Sequence, residues 1–275
     1  MVRIMVRKEI LIPTVGGDVF AVYTSAETPD PVKPLVIMCH GMMMSGSLNP
    51  IRDVSEGLNE GGYDTMRLDF RGNGRSSGAI TDMTPLTEVS DLLSVIEYAV
   101  GHSDEFGSHG SIVLCGHSLG GLVSMLVASA LSGGRVHGLE YAGDIGKLSS
   151  ALAGLFLLAP AVNVEADSKA GRVGTVTFDP ENIPEIVEVW GSSLSKKYFV
   201  KARELDTFKT ISAYHGPACV LLGERDRLVE MNLADKINAA LPQAELHIIP
   251  RGDHLFSRGI RQKAVDIALE FLSRL

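Results

Sequence analysis

Short apolar runs alternate with helix-period segments from residue 35 to the end of the chain, which predicts an α/β protein: a mostly parallel eight-stranded sheet with helices on both faces. Two further observations shape that prediction. One run, SIVLC, passes directly into the turn Gly116-His117-Ser118-Leu119-Gly120 and then into an apolar helix. The stretch 161–216 is too long and too irregular for an ordinary crossover, and reads as a small inserted lid. With 275 residues the chain has enough material for one large domain spanning 1–275, the lid lying within it.

The predicted strands are 8–13, 19–24, 35–39, 64–69, 111–115, 155–158, 218–222 and 245–249. The first two have no helix between them, and Gly16 and Gly17 mark a tight turn, so they pair as an antiparallel hairpin at one edge of the sheet. After the third strand, Asn49 reads as a helix N-cap with Pro50 in the first helical position, and Gly61 and Gly62 close that helix. Thr84 and Pro85 open the next helix in the same way. Val89, Leu92, Leu93, Ile96 and Val100 then recur at helical spacing, giving one core-facing stripe. The final helix carries a similar stripe through Ile260, Ala264, Ile267, Ala268 and Phe271. In the lid the periodicity fades, and the aromatics Phe178, Trp190, Tyr198 and Phe199 gather.

Composition excludes several classes. Hydrophobic residues are 45% and charged residues 21%, which suits a packed globule rather than a disordered or fibrous chain. The formal net charge is −8 and no run of Lys or Arg occurs, so the basic footprint of a nucleic-acid or anionic-membrane binder is missing. No stretch approaches the roughly 18 apolar residues of a membrane span. At the start, Arg3, Arg7 and Lys8 interrupt the apolar residues, so no signal-peptide pattern forms and a cytoplasmic protein is expected. Cys39, Cys115 and Cys219 sit in apolar strand-like runs without metal-ligand spacing, and read as core thiols.

The turn at Gly116–Gly120 has the form of a nucleophile elbow. A strand-to-helix turn this tight strains its central residue, and side chains at Gly116 or Gly120 would crowd neighbouring backbone. Ser118 is thereby raised at the sheet's edge, where the following helix directs its positive end and the Leu119 N–H toward a developing oxyanion. A serine hydroxyl needs a base and a carboxylate to orient that base. GERDRLV places Asp226 beyond the carboxyl end of one strand, and PRGDHLF places His254 beyond the next, where open α/β sheets form their sites. Glu224 and Asp253 compete with Asp226 for the acid role; Glu224 follows the turn glycine, and Asp253 adjoins His254 in sequence and is badly aimed at it. His117 reads as packing or pocket lining. His40 and Gly41 end the third strand, so the backbone N–H of Met42 becomes the second oxyanion donor while the His40 side chain is structural. The loop DFRGNGRSSG, 69–78, has glycines and arginines but neither the Lys nor the helix start of a phosphate cradle, and reads as a scaffold turn. No motif supports a metal or nucleotide cofactor.

Together HGM at 40–42, DFRGNGRSSG at 69–78, GHSLGG at 116–121, GERDRLV at 223–229 and GDHLF at 252–256 resemble the α/β-hydrolase fold over nearly the whole chain. Within it, LLAPA at 157–161, FDPENIP at 178–184, EVWG at 188–191, YHGPA at 214–218 and ELHIIPRGDHLFS at 245–257 resemble bacterial feruloyl (cinnamoyl) esterases. The resemblance implies a carboxylic ester hydrolase whose lid helps to hold an aromatic acyl group, with Trp190 as a substrate-binding wall. Two departures stand out. Many of those esterases carry Gln after the nucleophile where this chain has Leu119, which alters one pocket wall. The segment 132–150 is longer and richer in Gly than the family's link, so a different pocket rim is expected. The expected partner is a small-molecule ester, with no nucleic acid, and the oligomeric state is not legible. The alternatives are a general short-chain carboxylesterase, monoacylglycerol lipase or thioesterase, and, from another class, a non-catalytic binding protein of the same fold.

Overall fold

A computed structural model of the chain describes residues 5–28, 30–257 and 259–275; Arg3 lies outside them. The strands are β1 (Arg7–Thr14), β2 (Gly17–Thr24), β3 (Leu35–Cys39), β4 (Thr65–Asp69), β5 (Ile112–His117), β6 (Leu152–Leu158), β7 (Arg172–Val173), β8 (Val176–Thr177), β9 (Ile186–Val189), β10 (Ser192–Ser195), β11 (Ala218–Gly223) and β12 (Ala244–Ile249). The helices are α1 (Ile51–Glu60), α2 (Pro85–Gly101), α3 (Leu119–Leu131), α4 (Ile145–Leu148), α5 (Val164–Lys169), α6 (Lys196–Arg203), α7 (Thr207–Ile211), α8 (Ala234–Ala240) and α9 (Ile260–Leu272).

Eight strands form one sheet in the order β1-β2-β4-β3-β5-β6-β11-β12. The β1–β2 hairpin pairs antiparallel at one edge and β2 meets β4 antiparallel; from β4 to β12 all neighbours are parallel. Every residue of β3 and β5 is buried, as expected of central strands covered on both faces. Strand order reverses at β3: the connection through α1 runs to β4, and those through α2 and α3 run the other way. Right-handed crossovers then place α1 opposite α2 and α3. The missing side chains of Gly57 and Gly61 let α1 press on Val265 and Leu269 of α9. All thirteen residues of α3 are buried, so this helix is apolar all round and lies in the centre of its layer.

Thr84 caps α2 through a reciprocal capping box with Thr87, and Pro85 is in its first turn. Two details differ from the sequence reading. Helix α1 begins at Ile51, not at Pro50; the Asn49–Pro50 peptide is cis and Asn49 makes no cap. Val100, placed in the α2 stripe, is 43% exposed because the stripe rotates off the core in the last turn. Of the segment 132–150, Lys147 and Ser150 lie at the amino end of the sheet, lining a cavity of about 190 Å³ with Leu35 and Ile112, which begin β3 and β5. Gly138, earlier in the same segment, stands instead beside Leu86 in the first turn of α2 and Lys201 of α6.

The stretch 161–216 contains α5, the small hairpins β7–β8 and β9–β10, α6 and α7. Tyr198 and Phe199 are fully buried there, with Phe178 against Phe199 at 4.5 Å between ring centroids. Trp190 does not join them. It sits at φ +50° between β9 and β10, 56% exposed, with its indole over Gly174.

Candidate active site

The site forms beyond the carboxyl ends of β3, β5, β11 and β12. Between β5 and α3, Ser118 has φ +54° and ψ −119°, a conformation that L-residues avoid and that the surrounding structure enforces. Its N–H donates to the Leu158 carbonyl at 2.9 Å, and its own carbonyl accepts from Ala161, Gly121 and Leu122. A side chain on Gly116 would stand 2.4 Å from the Gly120 oxygen, and one on Gly120 only 2.3 Å from the His40 oxygen. Both glycines are therefore required by direct backbone contact.

The loops after β11 and β12 are locked together. The Glu224 N–H donates to the Ile249 carbonyl at 3.0 Å and the Arg225 N–H to the Gly252 carbonyl at 2.7 Å, while Gly223 lets the two turns touch. This brings Asp226 under His254. Asp226 Oδ2 lies 2.8 Å from His254 Nδ1, and His254 Nε2 lies 2.9 Å from Ser118 Oγ. A carboxylate only accepts, so Nδ1 carries the proton and Nε2 is left to accept from the serine hydroxyl. Asp226 Oδ1 accepts the N–H groups of Leu228 and Val229 at 2.8 and 3.0 Å. Burial alone would raise the Asp226 carboxyl, but the hydrogen bonds from His254 and those two N–H groups outweigh it and hold the group below its usual range. Glu224 and Asp253 are engaged elsewhere, accepting from the N–H groups of Arg251 and Ser257.

Gly41 packs against the serine: a side chain there would meet Ser118 Cβ at 3.1 Å. His40 is fully buried. It accepts the Phe70 N–H on Nε2 at 2.9 Å, so its Nδ1–H donates to the Gly41 carbonyl at 2.7 Å. A trans peptide points its C=O and N–H in opposite directions, so holding the Gly41 oxygen also aims the Met42 N–H. Among the described residues neither the Met42 nor the Leu119 N–H has a hydrogen-bond acceptor. The glycine-rich loop supports this strand end as a scaffold: Asp69 accepts the Gly46 and Arg75 N–H groups at 2.7 and 2.8 Å. The Leu119 side chain is fully buried and packs in the core, so it does not alter a pocket wall.

The chemistry open to this arrangement is deprotonation of a serine hydroxyl by a neutral imidazole whose charge, once formed, is balanced by a fixed carboxylate. The three cysteines are buried and free. Among the described residues, one group offers metal-ligand atoms within 4.8 Å of one another, Cys219, Glu245 and His247. Both Glu245 oxygens are held by Arg274 at 2.6 Å, and the cluster belongs to the sheet's far strands rather than to Ser118.

Residues 36–259 match the family model described as the alpha/beta hydrolase family. The chain belongs to the alpha/beta hydrolase family. Among solved structures, this hydrolase is similar to Est1E from Butyrivibrio proteoclasticus with ferulic acid bound, at 24% identity and a TM-score of 0.82, covering 96% of this chain and 99% of that one. It is also similar to the Pyrococcus furiosus esterase Pf2001, at 20% identity and a TM-score of 0.68, covering 98% and 93%. A third similar structure is an alpha-beta serine hydrolase homologue from Coxiella burnetii, at 18% identity and a TM-score of 0.63, covering 99% and 98%. At these identities the likeness is one of fold. Among curated proteins, an uncharacterized 31.7 kDa protein from the traX-finO intergenic region of Escherichia coli is 35% identical over 89 residues, which is 32% of this hydrolase and 30% of that protein. The match thus spans less than a third of that relative's length.

Sequence reasoning left His117 as packing or lining, and did not foresee that His40 aims the Met42 amide. A signal was present: polar residues in otherwise apolar, fully buried strand ends, each next to a glycine the site needs. Two further groups had no local signal. The Glu88 carboxyl and the Tyr198 hydroxyl are buried without hydrogen-bond partners among the described residues, and burial, reinforced by Asp91, pushes Glu88 well above the usual carboxylate range.

Proposed function

We propose that this hydrolase is a serine esterase that cleaves carboxylic esters through an acyl-enzyme, with hydroxycinnamoyl esters as the favoured substrate class. The observation that carries the mechanism is the continuous hydrogen-bonded chain Ser118–His254–Asp226 beside two unpaired amide donors. His254 Nε2 takes the Ser118 proton as Oγ bonds to the ester carbonyl carbon, and the carbonyl electrons move onto oxygen, where the N–H groups of Met42 and Leu119 hold them. When the intermediate collapses, His254 returns the proton to the departing alkoxide. Water, deprotonated by the same imidazole, then attacks the acyl carbon and restores the serine. Asp226 balances the imidazolium throughout, so the cycle requires no cofactor.

The substrate class rests on the resemblance around FDPENIP and EVWG and on the fold shared with Est1E, which binds ferulic acid. In this reading 161–216 serves as a lid, and Trp190 is an aromatic wall for the acyl group; its exposure at 56% supports that role over one in the packed interior of the lid. The free thiols suit the reducing cytoplasm in which we place the enzyme. The test compares kcat/KM on methyl ferulate and a short aliphatic ester for the unmodified enzyme and for Trp190→Ala. Stacking on the indole is worth about 1 kcal/mol beyond area burial, so the variant is expected to lose roughly tenfold or less on the ferulate and little on the aliphatic ester. No turnover of any hydroxycinnamate by the unmodified enzyme would leave a general esterase in its place.

A further inference from the structure

We propose that His117 is a positioning residue for His254, fixing the backbone of the base from the position next to the nucleophile. The inference rests on the esterase reading for its kinetic consequences, but its geometry stands apart from it.

His117 is fully buried, and its Nε2 lies 2.9 Å from the carbonyl oxygen of His254. A carbonyl only accepts, so Nε2 carries the hydrogen and the neutral ring has its lone pair on Nδ1. That Nδ1 is buried with no partner among the described residues, and it faces Gly41, where an added side chain would come within 2.9 Å. A second proton would therefore be a buried charge with nothing to pair it. Burial and the neighbouring His254 accordingly push this imidazole down to about 3, so it is a neutral donor around neutral pH. The two ring centroids are 4.8 Å apart with their planes inclined at 52°, so the His117 ring packs beside the His254 ring.

His254 itself has 15% of its side chain exposed and stands on a loop, so its two side-chain hydrogen bonds hold only if its main chain is held too. The elbow supplies that hold directly: one residue carries the hydroxyl and its neighbour grips the base. Phenylalanine at 117 would fill the volume but leave the His254 carbonyl unpaired in the interior. A cation there would oppose the imidazolium that forms on His254 during turnover. A neutral imidazole meets both demands, and glutamine, whose amide reaches the place of Nε2, is the conservative replacement.

The experiment compares the unmodified protein with His117→Phe and His117→Gln, with His117→Asn, whose amide stops short, replacing the Phe variant if that one does not fold. The first readout is the downfield His254 Nδ1–H resonance in proton NMR, which reports the bond to Asp226 with or without catalysis. It is expected to be sharp in the unmodified protein and in His117→Gln, and broadened or lost in His117→Phe. The second is ester hydrolysis: a misplacement of the base near 1 Å corresponds to about 10–100-fold in kcat, with KM within about twofold, in His117→Phe and near-full recovery in His117→Gln. An unchanged resonance and unchanged kcat in His117→Phe would overturn the proposal, as would equal losses in the Phe and Gln variants. A resonance pattern as expected in a protein that hydrolyses no ester would support the positioning role and refute the esterase reading instead.

Discussion

The elbow at Ser118 and the stretch 161–216 both leave the carboxyl end of the central sheet, yet they are held by different forces. The elbow is set by backbone against backbone, with no room for a Cβ at Gly116 or Gly120. The excursion rests more on side chains against side chains, Phe178 on Phe199 and Phe199 on Tyr198; its Gly191 has nothing within 4 Å, although Gly171 closely approaches the Phe178 oxygen. A contact between neighbouring backbones has one solution, while aromatic packing tolerates many. The proposed chemistry, which needs fixed geometry, sits in the first region, and the proposed aromatic wall at Trp190 sits in the second.

A pair of alanine substitutions tests this difference with the largest expected effect. Gly120→Ala drives a methyl group to 2.3 Å from the His40 oxygen, and is expected to cost about 3 kcal/mol or more, a drop of roughly 10 °C in Tm for a chain of this size. Gly191→Ala adds a methyl in open space at φ +80°, so only the left-handed backbone penalty of about 1 kcal/mol applies. Thermal unfolding of the two variants checks the contrast, and equal losses would break it.

A smaller effect is expected from a contrast between two buried carboxyls. Asp226 and Glu88 are both buried carboxyls, but three hydrogen bonds lower the first while Glu88 has no partner to offset its burial. The raised value means the folded state keeps the Glu88 proton that the unfolded chain releases at its ordinary 4.5. Stability from this group is thus complete at acid pH and declines as pH rises above that point. Glu88→Gln does not titrate, so its Tm relative to the unmodified protein is expected to be unchanged near pH 4 and to improve progressively toward pH 8. An advantage independent of pH would show that Glu88 is charged in the fold.

The same contrast explains what the sequence made legible. The elbow glycines, the hairpin at Gly16 and Gly17, the capping of α2 and the order Ser118, Asp226, His254 are local signals, each carried by adjacent residues or by the end of a strand. The start of α1, the exposure of Val100, the place of Lys147 and Ser150 beside the starts of β3 and β5 and the turn that leaves Trp190 exposed depend on elements distant in sequence. The bond from His117 to the His254 carbonyl spans 137 positions and could not be read from GHSLGG alone. Sequence reading favoured Asp226 over Glu224 and Asp253 from their positions; in the fold Asp226 Oδ2 meets His254 Nδ1, while Glu224 and Asp253 accept the N–H groups of Arg251 and Ser257.

The most direct test of the account is covalent labelling of Ser118 by a fluorophosphonate, followed by intact mass and hydrolysis of an activated ester. In the proposed mechanism the half-buried hydroxyl is activated through His254 and Asp226. One adduct per chain, mapped to Ser118, is therefore predicted, with labelling and hydrolysis both lost in Ser118→Ala and its Tm nearly unchanged. Hydrolysis that persists in Ser118→Ala, or an unmodified protein that takes no label, would contradict the mechanism.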